Sequence, residues 1–210
     1  MKMTGTEEKD LLPQAPSREG STHGSRGLTF DALRVRAQQL SLREQMERQH
    51  FLLERLNAAS ARLLQAIELD DVYEAIGEII GNLIGCEEVA IFQHHSTEQT
   101  FSQVWSTGVE KETLQQLGLG AGLVGRSAHE GTTQFRDRQP NAPLLPYESR
   151  LTACIPLKLD REVIGVIVIL GLLPQKNGLE WADFELLKYL EMYGAIAVQL
   201  QNLRKNSVKP

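Results

Sequence analysis

The chain has 210 residues, of which 41% are hydrophobic and 23% are charged. These proportions are typical of a folded globular protein and exclude a fibrous or largely disordered chain. A net charge of -5 provides no overall attraction to nucleic acid or anionic lipid, so we expect neither as a partner. The longest apolar run, residues 163–173, is too short to insert across a membrane, and we expect a cytoplasmic protein.

The two cysteines give no sign of a metal site or a disulfide framework. Cys86 and Cys154 are far apart in the sequence, and neither belongs to a paired spacing of the kind that binds zinc. Free cysteine is among the residue types most often buried, so we expect both to be small buried apolar side chains. We therefore predict no metal and no cofactor.

The two ends of the chain are predicted to be tails. Residues 1–27 combine Pro, Gly, Ser and Thr with balanced charges and show no apolar period, which is typical of a segment that cannot bury enough apolar surface to fold. Residues 206–210 form a second, short tail in this interpretation.

Residues 28–69 contain neither Gly nor Pro, and their apolar residues recur at spacings of three and four. This heptad pattern predicts a coiled-coil helix. A helix of about 40 residues is roughly 60 Å long, more than one small domain covers, so we expect a partner helix and, most simply, a homodimer. The predicted seam residues are Val35, Leu42, Met46, Leu53, Leu56, Leu63 and Ile67.

Polar residues interrupt this seam at Gln39, Gln49 and Ser60. Such residues weaken a coiled coil but can fix its register. Alternatively, residues 28–50 form a helix that is merely solvated, because this half of the segment is dense in charged and amide side chains.

The remaining elements follow from the apolar pattern in chain order. A helix over residues 72–84 ends at Gly85. The later predicted strands cover residues 88–95, 101–106, 132–135, 151–159 and 162–172, and the later predicted helices cover residues 123–130 and 180–204. Residues 137–147 hold three prolines and are predicted as a loop. The terminal helix is apolar on more than one side, so Leu200 and Leu203 can join the dimer seam.

Three stretches of the chain resemble the GAF domain family. GLGAGLVGRSAHEGTTQFRDR at residues 118–138 is similar to the family's glycine-bracketed short helix followed by a strand and an Asp. SRLTACIPLKLDREVIGVIVILG at residues 149–171 is similar to its paired central strands, and GLEWADFELLKYLEMYGAIAVQLQN at residues 178–202 is similar to its closing helix. The resemblance covers residues 56–205 and implies an α+β fold. Its central antiparallel sheet of five or six strands has flanking helices and is preceded here by the long coiled-coil helix.

The resemblance also implies a pocket, enclosed by the loops of residues 107–150 on the sheet face opposite the helices. The candidate ligand-binding residues are Thr107, Arg126, His129, Phe135, Asp137, Arg138, Tyr147 and Thr152. Guanidinium groups suit a carboxylate or phosphate ligand. Alternatively, the charged residues among these candidates belong to a solvated loop.

The signatures of three branches of this family are missing. Members that bind cyclic nucleotides carry an Asn-Lys-x-Phe-Asp-Glu signature, where this chain reads LPQKNGLEWADFE. Members that attach a bilin need a Cys followed closely by His, whereas Cys154 is followed by Ile155 and Pro156. Members that reduce free methionine sulfoxide need two thiols that can meet, and nothing in the sequence places a second thiol near either cysteine. No catalytic residues are predicted.

The tail, the coil and the domain use up the chain, which leaves no room for a separate output domain. We therefore expect a non-catalytic, homodimeric signalling or scaffold module that acts on an unidentified signalling protein in trans. Two alternatives stay open: a stand-alone sensor whose small-molecule ligand controls partner binding, and an enzyme that resembles free methionine sulfoxide reductase.

Overall fold

The computed structural model describes residues 23–95, 100–109, 116–117 and 120–207. The predicted tail at residues 1–22, the turn at residues 96–99 and the end of the second tail at residues 208–210 lie outside these ranges. The chain divides into two units, residues 1–47 and residues 48–210.

One helix, α1 (His23–Leu69), forms the described part of the first unit and continues into the second. It begins before residue 28, so residues 23–27 are helical rather than part of a tail. Over residues 32–47 the side chains of this helix are exposed, and an ion pair of 2.9 Å joins Arg43 to Glu47 on its surface. The large exposed apolar residues of this stretch are Leu33, Val35, Leu40, Leu42 and Met46.

The second unit continues with a sheet and four further helices. The strands are β1 (Cys86–His95), β2 (Thr100–Thr107), β3 (Gln116–Leu117), β4 (Gln134–Phe135), β5 (Ala153–Leu159) and β6 (Glu162–Leu172). The helices are α2 (Val72–Ile79), α3 (Gly122–Glu130), α4 (Trp181–Tyr189) and α5 (Ala195–Ser207). One π turn, Ile80–Ile84, continues α2, and a second, Leu190–Gly194, joins α4 to α5. Two short 3-10 helices, Arg136–Arg138 and Pro146–Arg150, lie at the two ends of the predicted loop.

The strands form one antiparallel sheet of six strands in the order β3-β2-β1-β6-β5-β4. This result confirms the predicted α+β class and the two predicted hairpins, β1 with β2 and β5 with β6. The centre of the sheet is β1 with β6, whereas β5 has only the two-residue strand β4 outside it. Asp160, in the tight turn before β6, adopts a left-handed conformation with φ of 55°.

The sheet separates two apolar clusters, because successive side chains of a strand point to opposite faces. On the helical face, Ile167 and Ile169 of β6 pack with residues of α1, α2, α4 and α5. On the α3 face, Val166 and Val168 of the same strand pack with residues of α3. All four of these β6 side chains are fully buried, so β6 is the apolar centre of the domain.

The structure corrects the predicted dimer seam at three positions of α1. Leu63 is buried, and Leu56 and Ile67 are partly buried, in the helical-face cluster of their own chain. A helix that packs on its own domain shows the same spacing of three and four as a coiled coil, so the sequence pattern does not separate the two. The other seam residues are exposed: Val35, Leu42, Met46, Leu53, Leu200 and Leu203.

Candidate functional site

The predicted ligand pocket corresponds to the α3 face of the sheet, and this face is closely packed. Leu123, Val124 and Ala128 of α3 lie against the sheet, where Cys154 and Phe101 are also buried. Among the described residues, one small cleft of about 320 Å³ opens at the edge of this face, beside Phe101 and Ala128, and three further clefts lie at other positions. The described part of this face therefore holds side chains where the family resemblance implies a ligand.

The N-terminus of α3 is occupied by a carboxylate of the same chain. Glu148 is fully buried, and its Oε1 accepts a hydrogen bond of 2.8 Å from the backbone N–H of Val124. Its Oε2 accepts a second bond of 2.9 Å from the N–H of Leu145. The positive end of a helix attracts anions, so Glu148 takes the place that a ligand phosphate or carboxylate would need. Gly122 makes room for it, because a Cβ there would lie 2.3 Å from Oε2.

Arg126 and His129 both lie on α3, but their side chains contact different parts of the structure. The guanidinium of Arg126 donates to the Gly122 carbonyl and to Oε1 of Gln139, each at 3.1 Å. Arg126 therefore ties α3 to the following loop with donors that a ligand would otherwise use. His129 is exposed and lines a small cleft of about 320 Å³ together with His94 and Phe101.

Phe135 and Arg138 lie on the wrong side of the sheet for the predicted pocket. The ring of Phe135 packs in the helical-face cluster and makes an edge contact with Phe184, with centroids 5.1 Å apart. The guanidinium carbon of Arg138 lies 4.6 Å from the Phe135 ring centre and 4.8 Å from that of Phe184. In the two-residue strand β4, the backbone carbonyl of buried Gln134 accepts a contact from the thiol of Cys154, and the side chain of the following residue, Phe135, points to the helices. The prediction that Phe135 and Arg138 line one pocket with Arg126 is corrected accordingly.

The other four candidates do not complete a site. Thr107 is exposed at the end of β2, and Asp137 is exposed with no ion-pair partner among the described residues. The hydroxyl of Thr152 donates to the Leu170 carbonyl at 3.2 Å. Tyr147 packs against the α3-face cluster, where burial raises the pKa of its phenol to about 12. The eight candidates therefore occupy both faces of the sheet and its rim rather than one cavity.

The two cysteines lie on opposite faces of the sheet. Cys86 belongs to the helical-face cluster and Cys154 to the α3-face cluster, and both are free and buried. Burial raises the pKa of each thiol to about 12. Because the thiolate is the reactive species, this raised pKa lowers the reactivity of both cysteines as nucleophiles.

We expect both thiols to resist Ellman's reagent in the folded protein. At pH 8 a thiol with a pKa of about 12 is thiolate in only about one molecule in ten thousand, and burial also blocks access. Labelling at pH 8 should be at least about a hundredfold slower in buffer than in guanidinium chloride, where both cysteines react. Rapid labelling of either thiol in the folded chain would contradict this assignment and support a thiol-based activity.

A buried ionic network, which the sequence patterns did not reveal, ties α1 to α4. Asp183 and Arg55 are both buried, and Nη2 of Arg55 lies 2.7 Å from Oδ1 of Asp183. The same nitrogen donates to the Leu83 carbonyl at the end of the first π turn. Lys176 adds a second cation, with its Nζ 2.6 Å from Oδ2 of Asp183 and also bonded to the Ile84 carbonyl. One carboxylate thus joins α1, α4, the first π turn and the loop after β6.

The described residues offer no metal site, since no three His, Cys, Asp or Glu side chains among them are placed to share an ion. In the same part of the chain, every helix is too short or too polar to cross a lipid bilayer.

A comparison with known families decides what kind of domain this is. Residues 68–200 match the family model of the GAF domain. The chain belongs to the GAF domain family. No curated protein sequence matches this GAF protein.

Solved structures that resemble this GAF protein share its fold at low sequence identity. Residues 122 to 287 of a methyl-accepting chemotaxis protein give a TM-score of 0.57 at 20% identity, covering 70% of this chain and 98% of that one. The GAF domain of a phosphoenolpyruvate-protein phosphotransferase from Coxiella burnetii gives 0.58 at 14%, covering 74% and 96%. Free methionine-R-sulfoxide reductase from Neisseria meningitidis, in complex with its substrate, gives 0.56 at 15%, covering 73% and 91%. Similarity at this level concerns the fold alone.

Proposed function

We propose that this GAF protein is a non-catalytic, cytoplasmic signalling module that works as a homodimer and acts on a partner protein in trans. The observation that carries the proposal is an apolar stripe on the second π turn and α5, called the terminal stripe. Its side chains are between 37% and 51% exposed and recur at helical spacing. The terminal stripe consists of Met192, Tyr193, Ile196, Leu200 and Leu203.

The terminal stripe has the properties of a helix-pairing surface. Residues three and four apart lie on one side of a helix, so Ile196, Leu200 and Leu203 form a continuous row. Contiguous exposed apolar surface on a folded domain usually marks an interaction site. A second copy supplies a helix with the same row of side chains, and a symmetric pair of such rows closes without leaving a free surface. The first unit, considered alone, also carries unpartnered apolar side chains at heptad spacing, at Val35, Leu42 and Met46.

The chemistry of the domain supports a non-catalytic role over an enzyme that resembles the methionine sulfoxide reductase. Such an enzyme needs thiols that can form a disulfide, whereas Cys86 and Cys154 face opposite sides of the sheet. The small-molecule sensor is the weaker alternative, because Glu148 and the packed α3 face occupy the space that the family resemblance assigns to a ligand.

The homodimer is tested by placing charges in the terminal stripe of the full-length chain. Leu200→Glu with Leu203→Glu should weaken dimerisation at least about 100-fold, because two carboxylates would have to be buried between helices. Light scattering over a concentration series should show a dimer for the wild type and a monomer for the double variant.

Val104→Glu is the matched control, since Val104 is a similarly exposed apolar residue on β2, outside the helices. It should leave the dimer mass unchanged. A wild-type protein that stays monomeric, or a double variant that dimerises normally, would contradict the proposal.

A further inference from the structure

A polar cleft of about 580 Å³ lies beside the last turns of α5, where they pass the ends of β1, β5 and β6. Besides His94, its polar lining includes Gln93, Glu162, Gln199, Asn202, Lys205 and Asn206. Its volume lies within the range of about 300–1,000 Å³ that is usual for ligand sites. None of the predicted site residues lines this cleft except Leu203, which it shares with the terminal stripe.

The carboxamides of the cleft are aligned on rigid elements. Gln199, Asn202 and Asn206 are spaced three and four apart and lie on one side of α5, and Gln93 faces them from β1. Gln93, Gln199 and Asn202 are half-buried. None of the four amides has a hydrogen-bond partner elsewhere in the described part of the chain. Their donors and acceptors are therefore available to a ligand that enters the cleft.

The lining chemistry suits a peptide main chain. Each carboxamide can both donate and accept, and an extended peptide offers an N–H and a C=O at every residue. The apolar walls outside the terminal stripe, formed by Leu159 and Ile164, accommodate aliphatic side chains between these polar contacts. A saccharide could use the amides, but its hydroxyl groups would lie unpaired against these two walls.

Two side chains of opposite charge, Glu162 and Lys205, also line the cleft. Neither forms an ion pair with another described residue. They would select a bound segment by its charge and set its direction. We propose that this carboxamide cleft binds an extended polypeptide segment of the partner protein, which rests on the proposed function in trans.

The proposal is tested with a phage-displayed library of random dodecapeptides, selected on the immobilised full-length protein. An enriched peptide is synthesised with a fluorophore and titrated by fluorescence anisotropy. Gln199→Leu with Asn202→Leu keeps the helix and the volume but removes the hydrogen bonds, so it should weaken the peptide at least about tenfold. Peptides that bind this double variant as tightly as the wild type, or a selection that enriches none, would overturn the proposal.

The matched control changes two carboxamides of another cleft, of about 630 Å³, in the loop after β6. Gln175→Leu with Asn177→Leu should leave peptide affinity within about twofold of the wild type, because these exposed side chains lie in a separate cleft. An equal loss in both double variants would show a general effect of leucine and overturn the assignment.

A second variant, with one surface charge reversed, keeps the test decisive if Gln199→Leu with Asn202→Leu folds poorly. Glu162 is exposed, so Glu162→Lys should fold normally and, in a fresh selection, enrich peptides of more negative charge. An unchanged peptide preference would overturn the role of the cleft. Light scattering separates this proposal from the proposed function, since a dimer that selects no peptide disproves only the cleft, and a monomer that selects one disproves only the dimer.

Discussion

Replacing Arg55 by methionine is expected to lower the free energy of unfolding by about 3 kcal/mol. The change removes a buried cation 2.7 Å from a buried carboxylate and leaves Asp183 with Lys176 as its remaining ionic partner. It also leaves the Leu83 carbonyl, at the end of the first π turn, without its side-chain donor. Urea unfolding followed by the fluorescence of the two tryptophans measures the effect.

Arg43→Met provides the control for Arg55→Met. Arg43 also forms an ion pair on α1, at 2.9 Å from Glu47, but both side chains are more than 60% exposed. Exposed pairs contribute little, so this variant should change stability by less than about 1 kcal/mol. Equal effects of the two substitutions would mean that the buried network stabilises the domain no more than a surface pair does.

Replacing Glu148 by glutamine is expected to cost about 2 kcal/mol of unfolding free energy. The buried carboxylate accepts hydrogen bonds from two backbone N–H groups, those of Val124 and Leu145. The amide that replaces it has one oxygen and one NH₂ group, so one of the two N–H groups then faces another donor. The favourable interaction of a negative charge with the N-terminus of α3 is lost as well.

Chemical denaturation of Glu148→Gln should be compared with that of Glu130→Gln. Glu130 lies at the other end of the same helix and is exposed, so its replacement should change stability by less than about 0.5 kcal/mol. A small effect at position 148, equal to that at position 130, would contradict the anchoring role of this carboxylate.

The sheet could be predicted from the sequence because its strands have clear boundaries. The pair β5 and β6 is rich in Ile, Val and Leu and is separated by a two-residue turn, and the structure contains this hairpin. The two-residue strand β3 was not predicted, because so short a segment has no measurable alternation. Gly85 ends its helix as predicted, in the left-handed conformation that glycine adopts without strain.

The candidate site was predicted less well, for two physical reasons. A two-residue strand shows no measurable alternation, so its sequence does not reveal to which face a side chain turns, and Phe135 contacts Phe184 on the helical face instead of α3. A sequence also does not show whether the hydrogen-bond donors of a charged side chain already have partners within the chain. Those of Arg126 do, in the Gly122 carbonyl and the Gln139 side chain. Arg55 illustrates the reverse case, since an arginine in a charged helix gives no sequence signal of burial.

The π turn at Leu190–Gly194 determines the phase of the helix that follows it. Each residue of an α-helix rotates the chain by about 100°, and the i→i+5 hydrogen bonds of a π turn accommodate one more residue than an α turn does. Gly194 lets this turn lie close to the sheet, because a Cβ there would be only 3.1 Å from Leu157. Loss of one residue from this turn would rotate Leu200 and Leu203 by about 100° without altering either side chain. The direction in which the terminal stripe points is thus encoded by the length of a neighbouring segment rather than by the residues of the stripe itself.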